Sequence, residues 1–192
     1  VIDQRNAGAS VTPANGQYLV DRFVYYTTQA SKFTAQQNAG SITPPAGFSK
    51  YIGFTSSSAY SVGVNDYFIT GQAIEGLNVA DLGFGTANAK SITLSFWVKS
   101  SLTGTFSGML ASTGTQTRAY VFTYSIPVAN TWTQITLTIV GDTSGTWATT
   151  NGIGLRVLFN IGSGSSLLTT GTPWNSNTYA NKRVAPTIKK SR

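Results

Sequence analysis

The sequence predicts an all-β protein, a two-layer antiparallel β-sandwich of jelly-roll type. Three observations predict it. Apolar and polar residues alternate in short runs. Clusters of Gly, Asn, Asp and Ser separate those runs. Thr and Ser together fill 49 of the 192 positions, and β-branched Thr packs well on a pleated surface. About nine or ten short strands follow from this pattern. The absence of a repeat of about 20 to 50 residues argues against propellers and solenoids.

In chain order, the first strand is expected within Tyr18–Thr27. The span 18–39 lacks Gly and Pro, and Leu19, Phe23, Tyr26, Ala30 and Phe33 also fit a helical spacing, but its Val, Tyr, Phe and Thr content favours strand. Tyr51–Phe54 and Tyr67–Ile74 read as strands between turn-rich stretches at Pro44-Pro45 and Ser56-Ser57-Ser58. Ser91–Lys99 gives the clearest separation: Ile92, Leu94, Phe96 and Val98 on one face, Thr93, Ser95, Trp97 and Lys99 on the other. Tyr120, Phe122, Tyr124 and Ile126 share one face of a strand that Pro127 closes, since proline cannot donate to a ladder. Ile135, Leu137 and Ile139 mark the next strand within Trp132–Val140, and Ile153, Leu155, Val157, Phe159 and Ile161 mark another. Alternation stops near Thr172-Pro173-Trp174-Asn175, which sets a sandwich over 1–174 and a polar, basic tail over 175–192.

Composition narrows the chemistry. The chain has no His and no Cys, so it holds no disulfide, no Cys/His zinc site, no Cys nucleophile and no Ser-His-Asp triad. Its six acidic residues are Asp3, Asp21, Asp66, Glu75, Asp81 and Asp142, a short list from which to assemble a glycosidase pair. No catalytic residue is assigned, and a non-enzymatic protein is expected. Gly83-Phe84-Gly85-Thr86 and Gly162-Ser163-Gly164-Ser165 neither open a helix nor precede Gly-Lys-Ser/Thr, which argues against nucleotide binding.

The formal net charge of +7 is concentrated at one end. Lys182, Arg183, Lys189, Lys190 and Arg192 lie in the last eleven residues, leaving eight basic against six acidic groups over 1–181. A body this dilute in Lys and Arg is a poor nucleic-acid groove. No stretch is apolar for long enough to read as a transmembrane helix.

Four tryptophans carry the remaining weight. Trp97, on the polar side of its strand, either stacks on a sugar ring or covers a neighbouring strand. Trp147 and Trp174 fall in or beside loops rich in Asn, Thr and Asp, where they serve either as stacking plates for a glycan or as sandwich-edge packing. As a glycan site, Trp147 and Trp174 would stack, with Asp142 and Asn175 as polar partners. Gly141-Asp142-Thr143-Ser144-Gly145-Thr146-Trp147 reads as a hairpin connection with an Asx-turn at Asp142. A calcium site there would need carboxylates that the neighbouring sequence does not supply, so no metal and no cofactor is expected.

Several strings resemble one family. Asp3-Gln4-Arg5-Asn6-Ala7-Gly8, Tyr18-Leu19-Val20-Asp21-Arg22-Phe23, Ile74-Glu75-Gly76-Leu77, the run Ala89–Ser100, the run Gly141–Trp147 and Asn151-Gly152-Ile153-Gly154-Leu155-Arg156-Val157 look like phage and prophage virion proteins. Members of that family are tail-fibre, tail-associated or head-fibre modules with a jelly roll similar to carbohydrate-binding modules. The resemblance spans roughly residues 1–179. It implies a non-enzymatic structural or attachment module in the virion, a homo-oligomer that meets other virion proteins and a host surface polysaccharide, with no membrane partner. The family's closing strand finds no counterpart after Trp174, so either the sequence diverges there or the sandwich lacks that strand, exposes an unpaired edge and takes a strand from elsewhere. Lys182, Arg183, Lys189 and Lys190 then become candidate assembly contacts. A capsid or head-decoration protein without glycan binding, and a polysaccharide-binding module of a secreted enzyme, are the alternatives.

Overall fold

In the computed structural model, residues 1–112, 118–167 and 172–175 are described. They form eleven strands, joined by turns and short 3₁₀ segments, with no α-helix among the described residues. Seven strands make one antiparallel sheet. In spatial order these are β1 (Tyr18–Val20), β2 (Phe23–Thr27), β5 (Tyr67–Glu75), β10 (Ile153–Ser163), β7 (Gly104–Ser112), β8 (Ala119–Ile126) and β11 (Thr172–Asn175). Two antiparallel pairs complete the set: β3 (Phe33–Gln37) with β4 (Ile52–Ser56), and β6 (Ile92–Val98) with β9 (Thr133–Ile139). The fold is the expected all-β antiparallel sandwich.

Register shows how the layers meet. Thr70 of β5 pairs with Tyr25 on one side and Phe159 on the other, so these residues point to one face of the large sheet. Phe33 and Ala35 of β3 close over the Tyr25 end of that row, with the Phe33 ring 5.2 Å from Phe68. Over the Phe159 end, β6 and β9 contribute Ile92, Leu94, Phe96, Ile135, Leu137 and Ile139. Phe96 sits at the centre of that contact, its ring 4.9 Å from Phe159 and 5.1 Å from Tyr124 in edge-on geometry. Both small pairs therefore lie side by side on the same face. They meet where the Trp132 ring approaches Tyr51 to 5.4 Å and its Nε1 donates to the Thr43 carbonyl at 2.9 Å. The other face of the large sheet carries Ile69, Met109, Ala111, Ala119, Val121 and Leu158, all at most 4% exposed.

Several elements refine or depart from the sequence expectation. Tyr18–Thr27 is two strands, because Arg22 adopts a left-handed φ of 71° and turns the chain back on itself. The helical spacing over 18–39 is coincidental: Leu19, Tyr25 and Phe33 reach one core cluster from three different strands. The loop after Ile139 is not a hairpin connection, since β9 and β10 belong to different layers and 140–152 crosses between them. Finally, Thr172–Asn175 is itself a strand, pairing with β8 at the sheet edge, a position where Pro173 is tolerated.

Candidate functional site

The crossover after β9 is built on one ion pair. Arg118 precedes β8, and its Nε and Nη2 donate to Asp142 Oδ2 and Oδ1, each at 2.6 Å, a bidentate fork. The carboxylate is buried and the Arg118 side chain is 12% exposed. The hydrogen bond from Asp142 holds the guanidinium above its ordinary pKa, against the opposing effect of burial. Asp142 Oδ1 also accepts the Ser144 N–H at 3.1 Å, which is the expected Asx-turn. Gly145 is at φ 80°, and a Cβ there would fall 2.6 Å from Arg118 Cγ, so the arginine stem passes where only glycine fits. With a guanidinium on both carboxylate oxygens, this loop does not offer Asp142 to a cation.

The turn delivers Trp147 into a ring cluster. Trp147 Nε1 donates to the Ser144 carbonyl at 3.3 Å, and its ring meets Phe84 at 4.9 Å and Trp174 at 5.3 Å, both edge-on. Trp174 in turn contacts Phe84 at 5.7 Å and Tyr120 at 5.6 Å, while its Nε1 donates to the Val140 carbonyl at 2.7 Å. Trp147 is 9% exposed and lies inside the cluster; Trp174 is half-buried on its rim, tying the end of β9 to the edge strand. The structure thus brings Trp147, Trp174 and Asp142 together. Asn175 stands apart from them: it pairs with Ala119, on the opposite face of the sheet from Tyr120 and Trp174. Lys182, Arg183, Lys189 and Lys190 lie outside the described residues.

Phe84, Tyr120 and Arg118 complete the cluster, and the sequence did not mark them as site residues. Arg118 is 24 positions from its partner, and no local pattern marks such a pair.

Trp97 presents a different environment. It lies on the solvent side of β6, half-buried, opposite Gln134 of β9. Ser95 faces Thr136 and Thr93 faces Thr138 along the same surface, and all five of its neighbours on the two strands are exposed. Among the described residues no strand covers Trp97.

Asp66 forms a third polar centre. It is 7% exposed and accepts from Tyr60 Oη at 2.5 Å, Gly63 N at 2.7 Å, Thr28 Oγ1 at 2.9 Å and Gln29 Nε2 at 3.0 Å. Burial alone would raise its pKa, but the four donors together hold it below the usual carboxylate value. A carboxylate saturated this way ties loops together and is not free to move a proton.

No family model and no curated protein matches the chain. Two solved structures are similar to it. One is a family 11 carbohydrate-binding module from Clostridium thermocellum in complex with a β-1,3-1,4-mixed-linked tetrasaccharide, 15% identical at a TM-score of 0.40 over 79% of this chain and 92% of that one. The other is the family 11 carbohydrate-binding module of a cellulosomal cellulase from the same organism, 15% identical at a TM-score of 0.39 over 80% of this chain and 93% of that one.

Proposed function

We propose that this chain is a non-catalytic glycan-binding module that works within a larger assembly. The observation that carries this reading is the Trp174 rim. It is a half-buried indole fixed edge-on by Phe84 and Trp147 and met at a tilt by Tyr120, with its N–H bound to Val140, beside an ion pair whose charges cancel. A pre-positioned aromatic plate in neutral polar surroundings suits the apolar face of a sugar ring, because little ordering remains to be done on binding. Trp147 supports the plate from behind and Asp142 holds the loop that carries Trp147, while Asn175, on the opposite face of the edge strand, takes no part in the rim. The non-catalytic part of the proposal is supported by the two buried carboxylates, Asp66 and Asp142, both of which are engaged in hydrogen bonds.

The assembly on our reading is a phage virion, with the module in a fibre or attachment organelle, homo-oligomeric and facing a host surface polysaccharide. This rests on the strings quoted above, and Lys182, Arg183, Lys189 and Lys190 are its proposed contacts to neighbouring subunits. A module of a secreted polysaccharide-degrading enzyme would have the same rim and differ in what the rest of its gene encodes.

The test is affinity electrophoresis through gels containing neutral polysaccharides. Wild type is expected to be retarded by at least one of them, and Trp174→Ala to bind about tenfold or more weakly, by analogy with aromatic stacking on nucleobases. Equal retardation of a folded Trp174→Ala protein would remove the rim from the account. For the assembly role, deletion of residues 182–192 is expected to lower the mass measured by light scattering; an unchanged mass counts against it.

A further inference from the structure

We propose that the outward face of the β6–β9 pair is a second carbohydrate-contact surface, a flat platform that takes a stretch of neutral polysaccharide with one sugar ring stacked on Trp97. The inference rests on the reading that the ligand is a glycan, and it is independent of how the Trp174 rim engages one.

Three of the four tryptophans are committed to the protein's own structure. Trp132, Trp147 and Trp174 donate their indole N–H groups to the carbonyls of Thr43, Ser144 and Val140, and each ring packs against another aromatic. Trp97 does neither among the described residues. An indole on the solvent side of a strand exposes apolar area and leaves a donor to water. Its inward neighbours Phe96 and Val98 already supply the packing that this end of β6 needs.

The surroundings specify the ligand class. Across the two strands run three ranks, Thr93 with Thr138, Ser95 with Thr136, and Trp97 with Gln134. Successive same-face ranks are about 6.7 Å apart, so the three span about 13 Å, the scale of a short oligosaccharide. Ser95 Oγ and Thr136 Oγ1 lie 3.3 Å apart and share one hydrogen bond, which leaves each with further capacity. A hydroxyl both donates and accepts, as a sugar hydroxyl does, and β-branched Thr holds it in few rotamers. None of the six residues is ionised, and Lys99 beyond the end of β6 is the one charge that continues this face of the strand. That argues for an uncharged polysaccharide over a polyanion. The single aromatic among hydroxyls also differs from the apolar centre that a protein partner would need.

The experiment measures binding of the full chain to a soluble β-glucan, a mannan, a dextran and an alginate, by affinity electrophoresis and by tryptophan fluorescence. It uses Trp97→Ala, Trp97→Phe, Gln134→Ala and Trp174→Ala, with unfolding curves confirming that each variant is folded. The expected result is binding to a neutral polymer that falls about tenfold or more in Trp97→Ala, less in Trp97→Phe, and measurably in Gln134→Ala. Full affinity in Trp97→Ala with loss in Trp174→Ala overturns the platform and spares the glycan reading. Binding by wild type to none of the polymers overturns both. Preference for alginate, or self-association by light scattering that Trp97→Ala abolishes without change in glycan binding, also overturns the platform.

Discussion

Removing the Arg118 guanidinium is expected to be among the most damaging single changes outside the aromatic core. Arg118→Ala leaves Asp142, only 2% exposed, as a carboxylate without its cation. Breaking a buried pair in this way costs about 3 to 5 kcal/mol. The guanidinium is 12% exposed, so water can partly replace it, which places the expectation near the lower end, at about 3 kcal/mol. For a chain of this length that is a fall in Tm of about 6 to 12 °C. The assay is thermal and urea unfolding of wild type, Arg118→Ala, Asp142→Leu and the double variant Arg118→Met with Asp142→Leu. The double variant is expected to recover much of the loss, because an apolar pair leaves no unpaired charge. A loss below about 1 kcal/mol, or no recovery in the double variant, would refute the reasoning.

Three further outcomes are expected. Asp66 is held below its ordinary pKa, so its contribution is complete above the unfolded value of about 3.9 and disappears as pH falls through the lower folded value; urea midpoints of wild type and Asp66→Asn should therefore converge as the solution is acidified below about pH 4. Gly71→Ala would put a Cβ 2.1 Å from the Val157 carbonyl oxygen and 2.8 Å from Leu158 Cα, and forcing β5 away from β10 should cost about 3 kcal/mol or more in chemical unfolding. Tyr25 is 1% exposed, burial pushes its pKa up to about 12 against a smaller opposing effect of Thr27, and its hydroxyl has no hydrogen-bond partner within bonding distance among the described residues, so Tyr25→Phe should be neutral or stabilising by about 1 kcal/mol, read from the urea midpoint.

The strands that alternation reveals are those with one face on the core and one in solvent, and β6 and β9 are the clear cases: Leu94 and Leu137 point inward while Thr93, Ser95, Thr136 and Thr138 are exposed. β7 escaped because it lies inside the seven-stranded sheet. From Ser107 to Ser112 every residue is buried, whichever face it takes, so Ser-Gly-Met-Leu-Ala-Ser carries no period-two signal. β3 was hidden by its two glutamines, although Phe33 and Ala35 do alternate into the core. β11 was hidden by Pro173. The candidate site was legible in part for a similar reason. The Asx-turn at Asp142 is local and was read correctly, whereas its partner Arg118 and the rings of Phe84 and Tyr120 come from distant positions that only the sheet order brings together.

The most direct test of the central claim is to incubate the purified chain at high concentration with a panel of neutral polysaccharides, measuring both retained protein and new reducing ends. The expected result is retention on at least one polymer with no increase in reducing ends. Retention on none of them, or hydrolysis that disappears when two of the six acidic residues are changed, would contradict the account.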